Sequence, residues 1–475
     1  MNSFFALLPL LIIVFIALAV LILEVFLKRE NKDYLAYISL GFLVICAFVC
    51  IQFWNKAYYY FDGNLLLDQF ALFFTFILLL STGFVILLSM KYISLQDVNY
   101  GEFYALLLLA VSGAIIMVSS PDLLVIILGL EVMSISSYAL TGLKRKDELS
   151  SEAAIKYFLL GSFATAFLLF GLALLYGASH STGIPTIIRY FNTEADLSLM
   201  ALIGLGLIVI GFGFKIALVP FHMWTPDVYQ GAPTPITAFF SVVPKAACFA
   251  IFLRIFYPFW KTAFESQAIF WLLWGISVLT MVVGNLVALR QTNVKRILAY
   301  SSIAHAGYLL VALLAQDSSS LVFYLTVYLF MNVGAFAAVI ALSKKDKEYL
   351  ELEDYSGIGF KYPWIGVTLS IFLLSLAGFP PTGGFLAKFY VFSSAVRQGL
   401  IPLVIIGVLA SLISVYYYLR IIVHMYMREP SREVDIVVEN PALFLVLFLC
   451  LYGVLQLGLY PRNILVLINQ AVSLL

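Results

Sequence analysis

The sequence predicts an all-α polytopic membrane protein with about fourteen transmembrane helices. Of its 475 residues, 63% are hydrophobic and only 11% are charged, whereas soluble domains average about 25% charged residues. So few charges could not cover the surface of a soluble protein of this size. In addition, apolar stretches of about 20 residues, the length that crosses a bilayer, recur along the whole chain.

Turn residues and charges separate these stretches, and the longest polar segment is shorter than twenty residues. Helix breakers predict that the seventh and twelfth spans are interrupted. The predicted spans are 4–27, 34–54, 69–90, 102–120, 122–142, 153–177, 197–219, 233–259, 267–289, 296–315, 320–343, 363–396, 399–427 and 441–460.

The loops predict the orientation in the membrane. Assigning them alternately to two sides gives sixteen Lys and Arg on one side and six on the other. Because basic loops stay in the cytoplasm, we expect both termini of this multi-pass protein on the non-cytoplasmic side. The 27 basic and 26 acidic residues nearly cancel, which argues against a nucleic-acid partner. The four cysteines lie in apolar stretches without metal-ligand spacing, so we expect no metal site.

Charged residues inside the spans are the candidate functional residues. A charge at the centre of a membrane helix costs about 2.5–3.5 kcal/mol on insertion scales and is functional by default. Glu131 lies about ten residues from either end of its span, too far to reach water. Lys156 lies nearer a helix end, where a lysine can extend to the interface.

Three buried lysines share a second feature, a helix breaker close by. The lysines are Lys215, Lys245 and Lys388, and the breakers are Pro220, Pro244 and the segment 378–384. Broken helices occur in membranes where the backbone lines a cavity, so these lysines predict hydrated sites at mid-membrane depth. His305 lies mid-span, and its neighbours Ser301, Ser302 and Tyr308 could hold a water chain.

A weak internal repeat supports this interpretation. Residues 131–138 resemble 301–308 at an offset of 170, and residues 215–220 resemble 375–380 at an offset of 160. Both matches pair helices that are five spans apart, and an odd number of spans inverts the second copy. Inverted repeats with interrupted helices at matching positions are typical of secondary transporters. We expect an N-terminal three-helix segment (1–100), a first five-helix repeat (101–260), its inverted copy (266–428) and a C-terminal helix (429–475).

The run FKIALVPFHMWTPDVYQGAPTPITAFFSVVPKAA (214–247) resembles the signature of the antiporter-like membrane subunits of respiratory complex I. The segments LGLEVMSISSYAL, NVKRILAYSSIAHAGYLL and LSLAGFPPTGGFLAKFYVF agree, and the resemblance covers nearly the whole chain. It is greatest to the N-type subunits of NADH-quinone oxidoreductase. Lys388 favours this type, because M-type subunits carry Glu there, and L-type subunits have a long lateral C-terminal helix that we do not expect here.

The resemblance implies a fourteen-helix proton-channel subunit in which Glu131 pairs with Lys215, and Lys245 and Lys388 are the lysines of helices 8 and 12. Our own hypothesis is a proton relay from Lys215 to Lys245, past His305, to Lys388. It also implies that NAD, FMN, the iron–sulfur clusters and the quinone belong to partner subunits, so that this chain holds no cofactor. The implied partners are the M- and L-type subunits, the small K-, J- and A-type subunits, the lipid bilayer, protons and water.

Three other functions remain open at this point. One is a subunit of an Mrp-type cation/proton antiporter, and another is the equivalent subunit of a ferredoxin-dependent complex. The third is a passive scaffold whose buried charges only set helix register.

Overall fold

The computed structural model describes residues 7–28, 32–96, 98, 101–193, 198–262, 267–345, 347–430, 434 and 440–473. Both chain ends and the predicted boundaries at residues 100 and 266 lie outside these ranges, as do Arg29 and Arg432 among the basic loop residues. The described elements are α1 Leu8–Phe26, α2 Asp33–Gln52, β1 Tyr58–Tyr60, β2 Leu65–Leu67, α3 Gln69–Leu95, α4 Glu102–Val118, α5 Leu123–Thr141, α6 Glu148–Ser179, α7 Ile184–Thr193, α8 Leu199–Lys215, α9 Trp224–Gly231, α10 Thr234–Thr262, α11 Gln267–Ala288, α12 Val294–Leu314, α13 Ser318–Ala341, α14 Ile358–Lys361, α15 Pro363–Ala377, α16 Gly383–Arg397, α17 Ile401–Met427, α18 Pro441–Leu459 and α19 Arg462–Val472.

The described helices confirm the predicted fold class. Eleven are long and apolar enough to cross a membrane, and three shorter apolar helices, α4, α8 and α15, complete fourteen spans. Helix α8 is followed after a break by α9, and α15 by α16, so the seventh and twelfth spans are interrupted as predicted. The antiparallel hairpin of β1 and β2 lies between the second and third spans.

Polar side chains cap the helices where the chain turns. Asp122 accepts hydrogen bonds from the first backbone N–H groups of α5, and Asn293 does the same for α12. Such caps satisfy donors that have no partner within the helix. Helix α5 begins within one residue of the predicted start at 122, whereas α12 begins two residues before the predicted start at 296.

The core of the protein is formed by α10, α12 and α13. In the apolar stretch of each of these helices, 94% to 100% of the residues are buried. The corresponding share is 28–33% for α1, α2, α6 and α17. The outer helices carry many exposed Leu, Ile and Phe side chains, as lipid-facing helices do. Polar groups on the three central helices are therefore kept from both lipid and bulk water.

Matching hydrogen bonds establish the internal repeat in the structure. The backbone of Leu123 donates to Thr182 and that of Ile184 to Pro121. In the second copy, Val294 donates to Leu350 and Leu352 to Thr292 in the same crossed pattern. This register places Ser302 opposite Glu131. The sequence alignment, which placed Ser301 there, was therefore wrong by one position.

The two breaks also match. The Leu218 backbone N–H donates to Gly213 at the end of α8, and Phe379 donates to Leu374 at the end of α15. Each break contains one left-handed residue, Ala217 (φ 62°) or Gly378 (φ 91°). With Ala217 opposite Gly378, the sequence alignment of this segment was also wrong by one position. A short sequence likeness cannot fix the register of a repeat, whereas a hydrogen-bond pattern does.

The helix breaker beside Lys245 does not interrupt its helix. Pro244 lies inside α10, and the helix continues through it from Thr234 to Thr262. This helix is buried along its apolar stretch, and it contains Pro244 although a proline removes one backbone hydrogen bond. Lys245 therefore lies on a continuous helix, unlike Lys215 and Lys388.

Candidate functional site

Lys215 is the last residue of α8 and is 3% exposed. Its Nζ donates to the Ser134 hydroxyl on α5 at 2.9 Å. The aromatic rings of Tyr157 and Tyr138 lie 4.8 and 5.3 Å from the same atom. A helix C-terminus and aromatic faces both favour a cation, so the break positions an ammonium group inside the membrane.

Glu131 lies one helical turn before Ser134 on α5, and its Oε1 accepts a hydrogen bond from the Thr165 hydroxyl at 2.6 Å. Both Glu131 and Lys215 are described, and no salt bridge of 4 Å or less joins them. The expected direct contact is therefore not made here. Ser134 bonds the lysine in its place, and Thr165 holds the carboxylate.

Lys245 is 2% exposed and reaches from α10 to α12. Its Nζ donates to the backbone carbonyl of Ser302 and, at 2.6 Å, to the Ser302 hydroxyl. That hydroxyl also accepts from Tyr328 at 2.9 Å and bonds Tyr229 at 3.2 Å. In the register that the backbone hydrogen bonds define, Ser302 occupies the position in the second repeat that Glu131 occupies in the first.

His305 lies on the same face of α12, one turn beyond Ser302, and is 1% exposed. Its Nδ1 lies 2.7 Å from the Tyr324 hydroxyl and its Nε2 lies 3.3 Å from the Tyr418 hydroxyl. Tyr418 in turn bonds Ser301. The side chains that contact His305 are therefore Tyr324 and Tyr418, and Ser301 joins them through Tyr418.

Lys388 lies on α16 just after the second break and is 6% exposed. Its Nζ donates to the carbonyl of Ala377, the last residue of α15, at 3.0 Å and to the Ser411 hydroxyl at 2.8 Å. The Tyr308 ring lies 5.0 Å away. The break thus supplies an unpaired helix-end carbonyl to the lysine, because the last carbonyls of a helix have no partner within it.

These residues form one connected group and one separate site. The connected group surrounds α12: Lys245 bonds Ser302, His305 follows one turn later, and Lys388 lies against the Tyr308 ring on the same helix. No hydrogen bond between described side chains links Lys215 to this group.

Two buried hydroxyls next to Lys215 are sites where ordered water can connect this lysine to the group around α12. The hydroxyls of Tyr157 and Thr225 have no hydrogen-bond partner among the described atoms. The Tyr157 ring lies against Lys215, and it stacks on Trp224, the neighbour of Thr225 in the chain. Buried polar groups of this kind are where ordered water binds.

Sequence analysis missed an ion network around Asp227 on α9. Asp227 accepts from Lys156 on α6 at 2.9 Å and from Arg296 on α12 at 2.8 Å. Lys156 also contacts Glu152 at 2.5 Å, and its side chain is 43% exposed, so it belongs to an ion cluster and agrees with the extension to the interface that the sequence suggested. The sequence signal that indicates this network is the carboxylate of Asp227, which lies inside the 214–247 motif.

A second missed feature is a buried ion pair. Arg254 is one of the six basic residues counted on the less basic side, but it lies inside α10, within the predicted span 233–259, and is 8% exposed. Its guanidinium bonds both carboxylate oxygens of Asp68 at 2.9–3.2 Å and also donates to the Val118 carbonyl. Since Arg254 leaves the group of six basic residues, the loop asymmetry becomes larger.

A third missed feature is Glu348, on the polar segment after α13. Its carboxylate accepts from Lys144 at 2.7 Å, from the Tyr92 hydroxyl at 2.9 Å and from Thr234. Burial alone would raise the pKa of this carboxyl, but the charges of Lys295 and Lys144 and the hydrogen bonds lower it to about 2. One side chain therefore joins α3, α10 and the loop between α5 and α6.

Replacing Glu348 by Gln is expected to destabilise the protein by about 3 kcal/mol at neutral pH, because a pKa lowered from 4.5 to about 2 is a stabilising interaction of about that size. This contribution is complete above pH 4.5 and is lost as the pH falls toward 2. The difference from wild type should therefore be constant between pH 6 and pH 8. Thermal unfolding followed by circular dichroism measures it.

The control is Glu429→Gln, an exposed carboxylate on a loop. It should unfold within about 0.5 kcal/mol of wild type. If Glu348→Gln unfolded like this control, the carboxylate would contribute nothing to stability.

The described residues contain no group of three or more His, Cys, Asp or Glu side chains that could hold a metal ion. The candidate site residues are three lysines, one carboxylate, one imidazole and the hydroxyls that they contact, all of which can donate or accept a proton.

Interrupted spans in two inverted repeats, with buried lysines beside the breaks, define the class of antiporter-like membrane proteins. The family described as NADH:quinone oxidoreductase/Mrp antiporter, transmembrane, matches residues 120–414. The NADH-quinone oxidoreductase subunit N of Trichlorobacter lovleyi is 46% identical over 98% of this chain and 96% of its own. The chain belongs to the NADH-quinone oxidoreductase subunit N family.

Solved structures agree with this family. A chain of respiratory complex I from Thermus thermophilus with bound aureothin superposes with a TM-score of 0.83 at 33% identity, over 96% of this chain and 98% of that chain. A chain of the Mrp complex from Dietzia sp. DQ12-45-1b gives a TM-score of 0.84 over 99% and 96% of the two chains, but at 20% identity. At that identity the likeness shows the shared fold alone.

Proposed function

We propose that this chain is a proton-translocating membrane subunit of NADH-quinone oxidoreductase, in which electron transfer in partner subunits drives protons through this one. The observation that carries the proposal is the row of three buried lysines, each bonded to a hydroxyl, across both repeats. An assembled complex of this kind is an oxidoreductase and a translocase, and this subunit supplies the translocation.

The proposed relay begins at Lys215, continues through ordered water to Lys245, passes His305 and leaves near Lys388. Each lysine has a hydroxyl within 2.6–2.9 Å, and a hydroxyl can accept one proton while donating another. His305 contacts two tyrosine hydroxyls, which gives the same capacity between Lys245 and Lys388.

Glu131 acts as the switch on Lys215. A carboxylate about 4 Å from an ammonium group contributes about 4 kcal/mol at an effective dielectric constant near 20. Making or breaking that contact changes the proton affinity of Lys215 by about three powers of ten. In the present arrangement Thr165 holds Glu131 and Ser134 holds Lys215, which corresponds to the unpaired position of the switch. Transport against 100 mV requires about 2.3 kcal/mol per charge, which lies within this range.

The direct test is Lys215→Ala in the assembled complex, reconstituted in vesicles that report proton uptake during NADH oxidation. We expect proton flux through this subunit to be abolished, because the first carrier of the relay is gone. Lys345→Ala, which truncates an exposed lysine, should pump like wild type. Unchanged flux in Lys215→Ala would refute the relay.

The remaining assignments are part of the same proposal. The partners are the M- and L-type subunits and the small K-, J- and A-type subunits, which with the peripheral subunits carry NAD, FMN, iron–sulfur clusters and quinone. The chain lies in the bacterial inner membrane with both termini on the non-cytoplasmic side, as the loop charges indicate. The segments are 1–100, 101–260 and 266–428 for the N-terminal helices and the two half-channels, and 429–475 for the C-terminal helix.

A native gel of the source membranes tests the assembly. This chain should migrate with an NADH-oxidising band of several hundred kilodaltons. Migration as a small band without NADH oxidation would favour the Mrp-type antiporter, and migration in a large band with another electron donor would favour the ferredoxin-dependent complex.

A further inference from the structure

A polar cleft of about 400 Å³ lies at the C-terminal ends of α10, α12 and α16, next to the terminal helix α19. Its lining includes Ser394, Arg397 and Gln398 from the end of α16, and Asn469 from α19. A cleft of this size holds on the order of ten water molecules at about 30 Å³ each. The cleft lies beyond Lys388 toward the C-terminal end of α16.

The buried face of α16 runs from Lys388 to this cleft in two helical turns. Lys388, Val391 and Ser394 follow each other at intervals of three residues, or about 4.5 Å of rise. Ser394 lines the cleft and is 6% exposed, whereas Val391 is completely buried. On α16, the position between the lysine and the polar cleft is therefore apolar.

Helix α12 packs against α16, and the environment changes in the same order along it, from the lysine through an apolar position to the cleft. Tyr308 lies against Lys388, and Ala315, two turns further along the chain, lines the cleft. Between them, one turn beyond Tyr308, Ala312 is completely buried. Both helices thus present an apolar side chain at the level between Lys388 and the cleft, and Val391 is the larger of the two.

The inverted repeat provides an internal comparison. In the register that the two breaks define, Lys388 corresponds to Asp227, and Val391 corresponds to Gln230. Asp227 is one third exposed, and Gln230 accepts from Arg296 at 3.0 Å. The position that is polar and partly hydrated at the inner end of the first repeat is apolar and dry at the outer end of the second.

We infer that Val391 is a hydrophobic gate that separates Lys388 from the outward cleft. A hydrophobic constriction excludes water and so interrupts a proton path until it is wetted. The gate prevents protons on the outer side from returning to Lys388 between transport steps. This inference rests on the proposed function, because it takes Lys388 as the last carrier of the relay.

The test compares Val391→Ser with Val396→Ser in the assembled complex reconstituted in vesicles. Val396 lies on the same helix but is 48% exposed, so its replacement is a matched control on the lipid side. After NADH is exhausted, the pH gradient should decay several times faster in Val391→Ser than in wild type. The control should decay at the wild-type rate. The double variant Val391→Ser with Lys388→Ala should return to the wild-type rate, because the returning proton needs Lys388.

Two results would overturn the gate: decay in Val391→Ser at the wild-type rate, or decay in the double variant as fast as in Val391→Ser alone. If Val391→Ser does not assemble, Val391→Thr, which keeps the shape of valine, decides by the same criterion. The two proposals are tested independently. The gate is tested by the decay of the pH gradient after NADH is exhausted, and the relay by proton pumping in Lys215→Ala during NADH oxidation.

Discussion

Replacing Asp68 by Ala should destabilise the protein by about 3–5 kcal/mol, because it leaves the Arg254 guanidinium buried without its counter-ion. The pair is bidentate, and Arg254 also lies 4.7 Å from the Phe70 ring. The carboxylate joins the N-terminal end of α3 to the middle helix of the core. We expect the amount of this chain in the assembled complex, measured on a native gel, to fall severely.

Two variants separate the ion pair from the helix cap that Asp68 also forms with the Ala71 backbone at 2.7 Å. Asp68→Asn keeps a cap acceptor, whose loss costs about 1 kcal/mol, but it removes the charge, so it should lose nearly as much assembly as Asp68→Ala. The double variant Asp68→Asn with Arg254→Gln removes both charges and should recover much of the loss. Normal assembly of Asp68→Asn would show that only the cap matters.

Hydropathy and helix breakers predicted the fold because they act locally. A span needs only its own apolar length, and a Pro or Gly interrupts a helix wherever the surroundings leave room. Pro244 is the exception, because tight packing around α10 keeps the helix intact. Arg254 shows the same limit, since its burial depends on Asp68, which is 186 residues away in the sequence.

The sequence could indicate candidate site residues but not the contacts that they make. Charge inside an apolar span identified Glu131 and the three lysines, because burial of a charge is costly wherever it occurs. Which partner each side chain selects depends on rotamers and on neighbouring helices. Glu131 therefore bonds Thr165 in place of Lys215, and His305 bonds tyrosines from α13 and α17.

Lys245→Met is expected to leave the protein assembled but to lower proton transport through this subunit by about 10²-fold or more, the usual contribution of a positioned proton-transfer group. Lys245 is buried and bonds only Ser302 among the described residues, so it forms no salt bridge whose loss would strand an opposite charge. Methionine fills the same space, and exchanging a buried charge for an apolar side chain is often neutral or stabilising. Assembly is read from the native gel and transport from NADH-driven proton uptake in vesicles.

Lys245→Arg distinguishes a proton carrier from a fixed positive charge. Arginine keeps the charge and can still donate to Ser302, but its guanidinium does not release a proton in proteins. If Lys245 carries protons, the arginine variant should assemble and fail to pump, as the methionine variant does. If the position needs only a positive charge, the arginine variant should pump while the methionine variant does not. Pumping by the methionine variant at the wild-type rate would remove Lys245 from the path, because methionine cannot carry a proton.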